Sequence, residues 1–254
     1  MISHTKNFRN NLKTHLKKYQ KILTIALKND HNEANTVTIV KDIFADIGGY
    51  DKYSEITSEY EIKNKYCDIA VKLNDTLNFL IEVKAIGNSL KKSHMEQARN
   101  YAANEGCEWV VLTNGIDWRV YHLDFGKAIA DELVLQFNML EFSIDREDDV
   151  NKIFASSKSG IEKKSLHVAY QNSLLVNKHM ISALLVTEPV LKHLKKWLGD
   201  LKKLNTGPKQ KHSISHELIQ RIIEREVIKE AIKDTSEFAT AKKRWSSLHK
   251  KKQK

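Results

Sequence analysis

The sequence predicts a mixed α/β sandwich followed by an all-helical region. Two apolar stripes of helical period come first, the period then drops to that of paired strands with one helix set among them, and past Asp145 only helical spacing remains. With 254 residues, 41% of them hydrophobic, the chain has room for one large domain or for a domain with a smaller one appended. The division is expected at residue 145, giving an α/β domain over 1–145 with its N-terminal helix and a basic helical region over 146–254.

Phe8, Leu12, Leu16, Tyr19, Leu23 and Leu27 recur every three or four residues between lysines and mark an amphipathic helix over 6–28. Asn32-Glu33-Ala34-Asn35-Thr36 opens a second helix through Val37, Val40, Ile43, Phe44 and Ile47, which Gly48-Gly49 stops. Glu59-Tyr60-Glu61-Ile62 leads into a strand over 66–73, and Asn74-Asp75 turns it into a second strand over 77–85. Ser89 or Ser93 is the expected cap of a helix running through Met95, Ala98, Tyr101 and Ala102 to Gly106. Strands over 109–113 and 118–123 follow, joined at Asn114-Gly115. Beyond them, helices are expected in 147–154, 161–186, 188–204 and 213–234, with Gly207-Pro208 as a break. The Lys-rich stretch 250–254 is expected to be disordered.

The net charge of +10 is divided unevenly, with −4 over residues 1–150 and +14 over 151–254. Positive charge gathered in one part of a chain suits a polyanionic partner, foremost nucleic acid. Lysines recur along a helical face at positions 192, 195, 196, 202 and 203, and the apolar stripe of that helix is expected to be packed away. No apolar run approaches the roughly 20 residues of a bilayer span, and the lysine-rich start lacks a secretory core, so a cytoplasmic protein without a membrane role is expected. Cys67 and Cys107 lack zinc-site spacing and read as buried thiols. His212 and His216 have the spacing of a metal pair but no supporting ligand motif, and read as surface histidines.

The chemistry concentrates in strands 66–73 and 77–85. Alternation puts Glu82 and Lys84 on one strand face, in a run otherwise apolar, where an unpaired charge is costly. Asp68 occupies an equally apolar run on the neighbouring strand, and the short turn brings its carboxylate near that of Glu82. Two carboxylates on adjacent strands suit a hard divalent cation such as Mg²⁺, with Mn²⁺ as a substitute. Lys84 is then placed to hold a nucleophilic water or the charge that develops in the transition state. Gln97 and Tyr101, four residues apart, share a helix face turned to something at the sheet.

Taken together, Glu33, Asp68, Glu82-Val83-Lys84 and Gln97-xxx-Tyr101 resemble the PD-(D/E)XK nuclease superfamily, with the trailing Gln/Tyr helix of nucleases related to the RecB exonuclease module. Leu112-Thr113-Asn114-Gly115 with Trp118-Arg119-Val120-Tyr121 narrows the resemblance to the N-terminal domain of type I restriction enzyme R subunits, over about residues 30–125. That resemblance implies a restriction-endonuclease-like central mixed sheet flanked by helices, and Mg²⁺-dependent hydrolysis of DNA phosphodiester bonds. It implies Asp68 and Glu82 as metal ligands with the Val83 carbonyl as a third, Lys84 as the water-activating group, Glu33 as an auxiliary acid, and Gln97 and Tyr101 as braces or backbone contacts. Cys67 stands where the family often has proline. The R subunits continue into an ATP-driven motor, whereas Gly126-Lys127 lacks the surroundings of a phosphate-binding loop. The expectation is a stand-alone nuclease-like protein, a homodimer, or a component of a restriction or defence system whose motor lies elsewhere. The alternative is a non-catalytic nucleic-acid-binding or assembly module that keeps the fold.

Overall fold

The computed structural model describes residues 4–63, 65–126, 129–206 and 215–252. The chain divides into two compact units, 1–171 and 172–254. The first is the α/β sandwich. Helix α1 (Lys6–Lys28) starts at Thr5, whose side chain accepts from the Phe8 N–H, and it buries Phe8, Leu12, Leu16, Tyr19, Leu23 and Ala26. Leu27, expected on this stripe, is exposed, and Ala26 turns inward instead. Helix α2 (Glu33–Asp46) starts at Asn32, which caps the Asn35 N–H.

Six strands form one sheet in chain order: β1 (Ile56–Ile62), β2 (Lys65–Leu73), β3 (Thr76–Val83), β4 (Trp109–Thr113), β5 (Asp117–Asp124) and β6 (Ala130–Asn138). All neighbours are antiparallel except β3 and β4, which are parallel and joined by the crossover helix α3 (Lys92–Glu105). One sheet face packs Ile69, Val71, Phe79, Ile81, Val111 and Val120 against α1 and α2; the other packs Ala70, Leu80, Val110 and Leu112 against Met95, Ala98, Tyr101 and Ala102 of α3.

The structure departs from the sequence reading at further points in this unit. Helix α3 is capped at Lys91 rather than Ser89 or Ser93, with the His94 ring accepting from the Lys91 N–H in place of a serine hydroxyl. Strand β6 carries no sequence signal because it is an edge strand whose first four residues face solvent, so period-two alternation is missing. Helix α4 (Glu147–Ala155) buries Val150, Ile153 and Phe154 in the sheet core and α5 (Lys158–Glu162) packs Ile161 against it, which is why this unit extends past residue 145.

The run 161–186 is interrupted rather than continuous, as the end of α5, α6 (Ser165–Leu175) and α7 (Lys178–Leu185), with α7 capped by Asn177. In the second unit α8 (Glu188–Thr206), α9 (His216–Ile222), a π-helical turn over Ile223–Val227, α10 (Glu230–Lys233) and α11 (Ser236–Lys252) follow, around a small core of Ala183, Leu191, Ile219, Ile223, Ile228, Phe238 and Ala241. Lys250–Lys252, expected to be disordered, continue α11; residues 253 and 254, His212 and Gly207-Pro208 lie outside the described residues. On α8, Lys192, Lys195 and Lys196 are exposed as expected, but so are Trp197, Leu198 and Leu201, and among the described residues only Leu191 and Leu194 of its apolar stripe are packed; the side chains of Lys202, Lys203 and Leu204 lie outside the description. No helix among the described residues is long and apolar enough to cross a membrane.

Candidate active site

Strand register brings the charged residues together. Ile69 pairs with Ile81 and Ala70 with Leu80, so Asp68 continues the ladder opposite Glu82, both on the face that carries Ala70 and Leu80. Asp68 Oδ2 accepts from the Val83 N–H at 2.7 Å, which ties the carboxylate to the neighbouring strand. Lys84, one residue past β3, donates its N–H to the Thr113 carbonyl at 2.8 Å, extending the parallel pairing by one step. Its ammonium stands 2.7 Å from Glu82 Oε1 and 3.4 Å from Glu33 Oε2. Glu33 is the first residue of α2, where the helix dipole favours a carboxylate. Glu33 from α2, Asp68 from β2, and Glu82 and Lys84 from the end of β3 thus form one cluster.

A turn braces this cluster. The Asn114 side chain accepts from the Ile116 and Asp117 N–H groups and donates to the Asn88 carbonyl at 2.8 Å, joining the β4–β5 turn to the loop that follows Lys84. Gly115, at φ +84°, lies against α2. A Cβ there would stand 3.1 Å from Leu23 and 3.4 Å from Thr36, and Thr36 is one helical turn beyond Glu33.

Glu82 is 1% exposed, and burial, with the charges of Asp68 and Glu33 adding to it, pushes its carboxyl up to about 7 against the opposing pull of Lys84. Burial also raises Asp68, with the Val83 N–H and Lys84 opposing. For Lys84, burial alone would lower the ammonium, but contact with Glu82 and the charges of Glu33 and Asp68 outweigh it, so the net shift is upward and the cation is kept. Although Lys84 forms an ion pair with Glu82, neither Glu82 oxygen receives an aligned hydrogen bond among the described residues. Two hard oxygens, buried and short of donors beside a second carboxylate, fit a divalent cation that would supply the missing positive charge. Among the described residues no three His, Cys, Asp or Glu side chains form a metal cage by themselves, so a cation here would depend on water or substrate oxygens to complete its shell.

Gln97 and Tyr101 lie on one face of α3 as expected, and Gln97 Nε2 donates to Tyr101 Oη at 3.2 Å. Tyr101 is buried in the core beneath α3, and neither residue joins the ion pairs of the cluster. His94, one turn before Gln97, is a site neighbour that the sequence does not single out. Its imidazole is lowered by burial and by the charges of Lys84 and Lys91, with Glu33 opposing, which puts it in the electrostatic surroundings of the cluster. The i, i+3 step from His94 to Gln97 is the signal that could have found it. Cys67 and Cys107 are buried free thiols, as expected, and burial raises them to about 12 and about 11.

A mixed sheet with an acidic pair on its inner strands, and a lysine two residues beyond the second acid, is the arrangement that the PD-(D/E)XK resemblance implies. Residues 46–135 match the family model described as type I restriction enzyme R protein N terminus. The match takes in Asp68, Glu82, Lys84, Gln97 and Tyr101 but not Glu33. Over these residues the chain is similar to a restriction-related, nuclease-like family. No curated protein and no solved structure matches the chain.

Proposed function

We propose that the protein is a Mg²⁺-dependent nuclease that hydrolyses phosphodiester bonds in DNA. The observation that carries the reading is the placement of Asp68 opposite Glu82, with the Lys84 ammonium 2.7 Å from the buried Glu82 carboxylate. Asp68 and Glu82 would hold the cation, with the Val83 carbonyl as a further ligand, and Mn²⁺ would substitute. The cation would supply Lewis-acid stabilisation of the phosphoryl oxygens and lower the pKa of a bound water.

The residues of the chain do the positioning. Without metal, the Lys84 ammonium lies against Glu82 and Glu33. With Glu82 engaged elsewhere, the same ammonium would be released to orient an attacking water and to offset negative charge on the phosphate as it develops. Glu33, at the open end of α2 and about half exposed, would accept a proton or steady Lys84. Gln97 and Tyr101 would brace the wall of the site or touch the DNA backbone. The exposed lysines of α8 add non-specific affinity for phosphates.

Supercoiled plasmid incubated with Mg²⁺, Mn²⁺ or chelator tests the proposal, wild type beside Asp68→Ala. Cleavage that needs the cation and vanishes in the variant supports it. A well-folded wild type that binds DNA but leaves it intact under every condition would replace it with a non-catalytic binding module.

A further inference from the structure

Helix α6 begins in the sheet unit and ends in the second unit, so its first two turns are where the chain leaves the sheet. Leu166 enters the sheet core there, and beside it is a second cluster of titratable groups that the nuclease reading does not use. Trp109 on β4 pairs in register with His122 on β5, with their rings edge to face at 4.8 Å. From α6, Tyr170 stacks on His122 at 3.9 Å with only 19° between the planes, and His167 meets Trp109 edge to face at 5.3 Å. Glu108, just before β4, sets Oε2 3.9 Å from Nε2 of both His122 and His167.

We propose that Glu108, Trp109, His122, His167 and Tyr170 form a proton-sensitive clasp that holds the start of α6 on the sheet at neutral pH and loosens it on acidification.

The sign follows from the geometry. The His122 side chain is 12% exposed, and its Nδ1 is buried with no hydrogen-bond partner among the described residues. In the neutral ring Nδ1 can be the bare nitrogen, with the proton on the Nε2 that faces Glu108. A second proton must go on Nδ1, leaving a buried charged donor without an acceptor. The remaining acids near His122 are Asp124 on its own strand and Glu132, its register partner on β6. Burial and His167 lower the His122 imidazole, and Glu108 and Asp124 oppose without reversing it. A lowered histidine contributes stability above the ordinary pKa of about 6.5 that is lost as pH falls through its folded value.

Amide hydrogen exchange on the full chain, corrected for intrinsic rates, tests this. Protection of residues 168–175 should be lost in part between about pH 7.5 and about pH 5.5, across the range in which His122 takes up its second proton. His122→Phe keeps an aromatic ring to stack on Tyr170 but cannot titrate, so its protection should be the same at both pH values. Equal protection of wild-type α6 at both pH values would overturn the clasp, and so would a pH dependence that survives in His122→Phe. If that variant does not fold, the ring-proton titration of His122 in the wild type decides: a midpoint below the ordinary value of about 6.5 supports the clasp, and one at or above it refutes it.

Discussion

Replacing Glu82 by Gln should make the metal-free protein more stable at alkaline pH, which is unusual for a residue placed at the centre of a site. The wild-type carboxyl is pushed from 4.5 in the unfolded chain up to about 7 in the fold. Between those values the unfolded chain is ionised while the folded one holds its proton, so stability falls as pH rises through that window. The difference corresponds to about 3 kcal/mol once Glu82 is ionised in both states. Gln, close in shape to the protonated acid, never incurs this cost. At about pH 4.5 the two proteins should melt alike, and at about pH 8 in chelator Glu82→Gln should melt roughly 5–10 °C higher. Adding Mg²⁺ should raise the wild type and leave the variant almost unmoved, because a bound cation makes the ionised form the favoured one. Circular dichroism melts at the two pH values, with and without Mg²⁺, supply the measurement. A variant less stable than wild type at about pH 8 in chelator, or an equal Mg²⁺ shift in both proteins, would refute the reasoning.

Lys84→Met should reduce cleavage by about a hundredfold or more while leaving Mn²⁺ affinity by calorimetry nearly unchanged, since the lysine is assigned to water and charge rather than to the cation. Asp68→Asn should lose both together. Charge reversal at Lys195 and Lys196 should flatten the salt dependence of DNA binding by about 0.9 for each phosphate no longer neutralised, and an unchanged slope would remove α8 from the binding surface. Gly115→Ala should cost about 1–2 kcal/mol from its left-handed backbone alone, and more from the approach to Leu23 and Thr36. Chemical denaturation measures that cost, and an unchanged midpoint would show that the turn relaxes.

The site is readable in the sequence because charge is conspicuous in an apolar strand. Asp68, Glu82 and Lys84 break runs that otherwise read as core, and the two-residue period then fixes their shared face. Glu33 is less readable, since a helix N-terminus attracts acids for its own reasons and only tertiary packing brings it to Lys84. His94 is hidden because its ring caps α3, a role that sequence preference assigns to serine. Strand β6 is invisible because an edge strand with both faces partly wet has no need to alternate. The clasp on α6 joins residues from β4, β5 and a helix more than forty positions away, and no local pattern marks such a meeting.

The parallel pairing of β3 with β4 has a consequence for how the site comes into being. An antiparallel partner is reached by a short turn, but a parallel one must wait for the chain to cross back over the sheet. Lys84 is fixed at its backbone by the Thr113 carbonyl, which the ribosome supplies only after α3 has been made. A nascent chain that ends before Thr113 holds Glu33, Asp68, Glu82 and Lys84 and still lacks the acceptor that aims the lysine. The charged residues are therefore all synthesised well before the lysine is held in place, and completion of the crossover is the step that completes their cluster.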